Sequence, residues 1–114
     1  MITDDLELYK ILKDFDPKIS VFRDLADGQT ISPYIVYRSL NCNKIYASGK
    51  AIGSLTEYEI LLIQKNKNNI ELKRQFSNYL SLSSILINNE SESSSIEEID
   101  EYYYLHLFTS ILTM

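Results

Sequence analysis

The sequence predicts an α+β domain: a mostly antiparallel sheet of four to five strands with two α-helices packed on one face. Three observations carry this expectation. Two segments place apolar residues at three- and four-residue spacing, the period of a helix with one buried face. Several runs are rich in β-branched and aromatic residues, and they follow one another through short links, which favours neighbouring antiparallel strands. The chain has 114 residues and 45% hydrophobic residues, enough for one core, so residues 1–114 are expected to form a single domain.

Taken in order, Thr3 to Lys13 reads as the first helix. Thr3 is its expected cap, and Asp4 and Asp5 favour the positive end of the helix dipole. Leu8, Ile11, Leu12 and Phe15 form the apolar stripe, and Pro17 disfavours helix at Asp16. A short β-type run, Ser20 to Phe22 with Ile19 before it, leads to a turn signal at Asp27-Gly28. Pro33 opens a strand over Tyr34–Leu40, at a position that needs no ladder donor. Asn41 to Lys44 reads as a polar turn, and Ile45 to Gly49 as a short strand or extended loop.

Leu55 to Lys65 is the clearest internal strand, ending in Leu61-Leu62-Ile63. Asn66 to Asn69 breaks it. Asn68 and Glu71 have the spacing of a capping box, and Leu72, Phe76, Tyr79 and Leu80 extend a helix to about Leu82. Ser83 to Asn88 carries Ile85 and Ile87 in a short strand. Asn89 to Ser95 lacks large apolar residues and reads as a mobile loop. A long strand from about Ile99 to Leu112 closes the chain. Period-2 alternation puts Tyr103, Leu105, Leu107 and Ile111 on one face and Tyr102, Tyr104, His106, Phe108 and Leu112 on the other. Both faces are apolar or aromatic, as in a central strand or one whose second face meets another subunit.

Composition excludes several functions. The net charge of -5 opposes sequence-independent nucleic-acid binding, which needs a clustered basic surface. A single cysteine, Cys42, cannot close an intrachain disulfide, and one cysteine with one histidine cannot build the usual zinc shell. The uncharged run Tyr102–Met114, broken only by His106, is shorter than the roughly 20 residues a bilayer-spanning helix needs. Acidic residues follow Met1 where a secretory leader is basic, so the chain is expected to be made and kept in a reducing cytoplasm, with no membrane partner.

Few groups suggest chemistry. His106 lies among Leu105, Leu107, Tyr104 and Phe108, which reads as a packed or interface histidine. Cys42 has only Lys44 nearby to favour its thiolate. Gly49-Lys50-Ala51-Ile52-Gly53-Ser54 lacks the spacing of a phosphate loop. No catalytic, cofactor-binding or metal residue is expected, and no enzyme activity. Charge and aromaticity mark a candidate interface instead. Glu90, Glu92, Glu97, Glu98, Asp100 and Glu101 hold six of the 16 acids with no base among them. Lys65, Lys67, Lys73 and Arg74 form the opposite pole. Tyr102, Tyr104, His106 and Phe108 supply an amphipathic face suited to protein contact.

The short acidic N-terminal helix, the Pro33-Tyr34-Ile35-Val36-Tyr37 strand, the Tyr/Gly segment, the Ile60–Ile63 strand running into an amphipathic helix and the closing tyrosine-rich strand occur in a familiar order. The chain resembles, over most of its length, the tail terminator (tail completion, tail-to-head joining) proteins of long-tailed bacteriophages and related tail-like particles. The resemblance implies a subunit without catalytic residues that forms a hexameric ring, caps the tail tube, stops its polymerisation and meets a neck or connector protein and in some systems a sheath protein. It implies a place in the virion tail or neck, assembled in the bacterial host cytoplasm, with DNA only passing through the channel.

A ring of about six copies would carry a formal charge of about -30, and an acidic channel would let DNA slide without sticking. Ring contacts are heterologous, so the acidic 90–101 segment and the Lys65–Arg74 cluster are candidate complementary halves. Reversing Lys73 and Arg74 to Glu is then expected to weaken the ring, as light scattering would read. Alternatives are another neck ring protein of the head-completion or stopper type, a small acidic inhibitor or immunity protein that mimics phosphate against a basic enzyme, and a small enzyme.

Overall fold

The computed structural model describes residues 5–26, 31–83 and 85–113. Its elements are α1 (Asp5–Phe15), β1 (Ser20–Arg23), β2 (Tyr34–Ala47), β3 (Lys50–Lys65), α2 (Ile70–Leu82), β4 (Ile87–Glu97) and β5 (Asp100–Thr113). The five strands form one sheet in the order β1-β2-β3-β5-β4. β1 and β2 are parallel and the other neighbours are antiparallel, so the α+β class holds and the sheet is mixed.

Both helices lie on the same face. Leu8 and Leu12 of α1 and Phe76 and Leu80 of α2 are fully buried against Ile35, Ile60, Leu62 and Leu107. The helices also meet each other. Phe15 sits edge-on to Phe76 at 4.9 Å, and the Tyr79 hydroxyl donates to the Ile11 carbonyl at 2.6 Å. Burying side chains of this size stabilises a fold by about 1.5–3 kcal/mol each, so this single layer of aliphatic and aromatic packing is the main source of stability.

Helix α2 starts one residue later than the spacing suggests. Asn69, not Asn68, is the cap: its Oδ1 accepts from the Leu72 N–H at 3.1 Å. The competitor that wins is buried Gln64, whose amide brackets Asn69, accepting from its N–H at 3.1 Å and donating to its carbonyl at 3.3 Å. Helix α1 runs two residues past Lys13, to Phe15. The expected cap at Thr3, Asp4 beside it and the expected turn at Asp27-Gly28 lie outside the described residues.

Two expectations fail for the same reason. Asn41–Lys44 is not a turn but the continuation of β2, and the reversal comes at Ser48-Gly49, with φ of 53° and 78°. Two consecutive positive φ values match the two-residue hairpin turn whose twist suits the flanking strands, and glycine supplies the second at little cost. Asn89–Ser95 is not a loop but most of β4, paired residue by residue with β5. In both, ladder hydrogen bonds to an already formed neighbouring strand outweigh weak β propensity.

The result is elongated. A sixteen-residue strand spans about 50 Å, and β3, which has that length, runs along a molecule whose extents are 56 × 28 × 22 Å. The radius of gyration, 15.4 Å, exceeds the value of about 13 Å for a compact domain of this size. The β2–β3 hairpin projects past the helices at one end. The β4–β5 turn, Glu98-Ile99, lies at the other.

Candidate assembly surface

No helix covers the second face of the sheet among the described residues. Alternation delivers to it Tyr34 and Val36 from β2, Leu61 and Ile63 from β3, and Tyr102, Tyr104, His106 and Phe108 from β5. The four β5 residues are half-buried, screened only by their neighbours. Tyr102 and Tyr104 stack at 6.5 Å, and Tyr104 tilts against His106 at 6.1 Å. Such residues tolerate a wet surface because each aromatic body ends in a polar atom.

A hydrogen-bonded string crosses this face through four strands. Glu59 of β3 is 5% exposed, yet charged, and its partners explain why it is tolerated. Oε1 receives Arg38 of β2, from Nε at 2.7 Å and Nη2 at 2.5 Å. Oε2 faces His106 Nδ1 of β5 at 3.0 Å, and His106 Nε2 faces Ser93 Oγ of β4 at 2.7 Å. An ionised carboxylate only accepts, so Nδ1 carries the proton of that contact, and where Nε2 is unprotonated Ser93 donates to it. The serine–histidine–carboxylate order is that of nucleophilic catalysis. Two features oppose that use. Arg38 already shares the Glu59 charge that would stabilise an imidazolium. Ser93 lies in a straight stretch of ladder opposite Tyr104, not on the sharp turn that presents a nucleophile beside oxyanion donors. The string ties side chains of four strands together across this face. Sequence reading found His106 but not Arg38, Glu59 or Ser93. Glu59's alternation with Ile60 was the available signal, since it put a carboxylate within a strand otherwise destined for burial.

Most of the charged residues expected to pair between copies already pair within the chain. Lys73, 6% exposed, donates to Glu92 at 2.8 Å and lies 5.9 Å from the Tyr103 ring centre. Glu90 accepts from Ser77 at 3.0 Å, Arg74 pairs with Glu71 one helical turn away, and Glu101 accepts from the Tyr103 hydroxyl. Lys65 meets Asp100 at 3.3 Å, and Asn66 clasps the same hairpin, donating to Asp100 at 2.8 Å and accepting from the Glu101 N–H at 2.8 Å. Glu90, Glu92 and Lys73 therefore belong to the helix-covered side, joining β4 to α2. Reversing Lys73 to Glu would damage the fold itself, so it cannot report on a ring contact. Lys67 is exposed in the link before α2, and Glu97 and Glu98 are exposed at the β4–β5 turn.

The ionisation shifts agree with this division. The hydrogen bond from Asn66, then Lys65, holds the Asp100 carboxyl below its usual value, while Asp100 raises Lys65. Tyr34 is pushed up, chiefly by burial and then by Tyr102, Tyr104 and Glu97. Tyr34 lines a cleft of about 350 Å³ at the turn end of the open face, walled by Val36, Leu61 and Ile63, with Asp24 and Glu97 also at its lining. Among the described residues, no group of three or more metal-ligating side chains occurs and no helix is long and apolar enough to cross a membrane. No protein-family model matches the chain, and no curated protein matches it.

Proposed function

We propose that this chain is a structural subunit that assembles into a ring, of about six copies, capping a phage or tail-like particle tube and joining it to the neck. The observation that supports the reading most is the sheet face that no helix covers: Tyr34, Leu61, Tyr102, Tyr104 and Phe108 form an apolar and aromatic surface on the side opposite the helix layer. Exposed aromatic surface of this kind, here interrupted by the Arg38–Glu59–His106 string, supports an interface reading. The element order, with β2 opening at Tyr34 just after Pro33 and β3 leading into α2, is the feature on which the resemblance to tail terminators rests. In this reading the partners are a second copy, the tube protein and a neck or connector protein. The chain works in the virion without catalysis, and DNA only passes through.

The test is assembly. The purified chain, alone and with the tube protein of the same particle, should scatter light as a ring and not at 13.2 kDa. Electron microscopy should find it at tube ends, with shorter tubes as its concentration rises. A chain that stays monomeric and leaves tube length unchanged would refute the reading. The inhibitor alternative is weakened by Lys73 and Lys65, which engage Glu92 and Asp100 and so reduce the acidic surface available to mimic phosphate.

A further inference from the structure

The two hairpins carry opposite charge at opposite ends of the molecule. From Ser39 to Thr56 the β2–β3 arm holds Lys44 and Lys50 and no acid. Near its tip Tyr46 and Ile52 are exposed, at 64% and 43%. The far end holds the cleft lined by Tyr34, Leu61, Tyr102 and Tyr104, with Asp24 and Glu97 beside them. Lys65 there is occupied by Asp100 and Asp24 lies 3.6 Å from Arg23, while Glu97 and Glu98 are exposed carboxylates at the turn.

We propose that the arm tip of one copy docks in the cleft of the next, placing Tyr46 or Ile52 against the tyrosines and Lys44 and Lys50 against Glu97, Glu98 and Asp24. This rests on the ring reading and specifies its contact. Within one chain the two sites cannot meet, since they lie at opposite ends of a 56 Å molecule. A contact between unlike ends is heterologous, so repetition generates a ring where the rotation closes. The cleft favours a cation chemically as well as by net charge. Its phenol rings offer faces to an ammonium group, and Glu97 at its lining supplies an exposed carboxylate. The positive-φ turn at Ser48-Gly49 pre-forms the arm, which reduces the ordering cost of docking.

Carbodiimide coupling of the intact chain tests this directly, because it joins a lysine amine to a carboxylate only in contact. Mass spectrometry should find Lys44 or Lys50 linked to Glu97, Glu98 or Asp24, in species of dimer mass and above. The variant Lys44→Glu/Lys50→Glu, altered only at exposed positions, should need at least about tenfold more protein for half-assembly. Adding Glu97→Lys/Glu98→Lys to the same chain should restore it. If the unaltered chain assembles while the arm variant assembles equally and the cross-links map elsewhere, the docking is overturned and the ring reading stands. If the unaltered chain stays at 13.2 kDa with and without tube protein, the ring reading falls and the docking with it.

Discussion

The two faces of this sheet are made by the same strands and differ in what they bury. On the helix side, Ile35, Ile60, Leu62 and Leu107 have no accessible surface and no polar atom in their side chains. On the open side, one position along each strand, stand Tyr34, Glu59, Tyr104 and His106, which keep hydrogen-bonding or ionisable groups. A face closed within the chain can fill its central positions with aliphatic side chains alone. A face left open by the chain must be tolerable in water, and in the proposed assembly it must also bury area on contact; tyrosine with a satisfied Arg–Glu–His string suits both demands.

The same substitution placed on each face sharpens that contrast most. Phe76→Ala empties a fully buried site and should cost about 3–5 kcal/mol, lowering Tm by about 12 °C or more. Phe108→Ala, half-buried on the open face, should cost about 1 kcal/mol in thermal denaturation yet lose most of the assembly seen by light scattering. Equal stability losses would mean that the open face is also a closed core. Next in size is Glu59→Gln, which keeps the shape but weakens the hold on Arg38. Because Arg38 is half exposed and can turn to water, a loss of only about 1–2 kcal/mol in urea unfolding is expected.

Smaller still is the clasp at the turn end. Asp100 is held below its ordinary value, so its contribution is complete above the usual carboxylate range and disappears as pH falls through the lowered one. Lys65, raised, contributes fully below the usual lysine range and loses that contribution only as pH rises through its raised value. Asp100→Asn should therefore flatten the acid limb of the stability curve and leave neutral-to-mildly-alkaline behaviour nearly parallel to the parent's. The smallest expected effect is none. A fluorophosphonate probe should label Ser93 no more than it labels Ser93→Ala, and selective labelling lost in His106→Ala would make the string a nucleophilic site.

How much of this was legible depended on whether burial wrote itself into the sequence. The two faces of β5 could be read from alternation, because Leu105, Leu107 and Ile111 meet helices while Tyr102, Tyr104 and Phe108 do not. The apolar stripes of α1 and α2 were legible for the same reason. The outer half of β2 and nearly all of β4 were not. Asn41, Asn43, Glu90 and Ser93 bury little and are extended only because a neighbouring strand supplies the ladder. Charge clusters were legible as clusters, but not their partners. Lys73 finds Glu92 only because α2 crosses beneath β4, a contact between positions 19 residues apart. The Glu59–His106 contact spans 47 residues and leaves no local pattern.

The edges of the sheet restrict how copies can meet. One edge strand, β1, is four residues long, and the other, β4, carries Glu90, Glu92 and Glu97 amid serines. A short edge and a charged edge both discourage a second sheet from adding backbone to backbone. Growth by endless strand addition, the route to fibrils, is thereby discouraged at both edge strands, and the edge of β2 beyond Tyr37 carries Arg38 and Lys44 against it. What remains open is association through faces and ends, which yields a bounded ring where the rotation between copies closes.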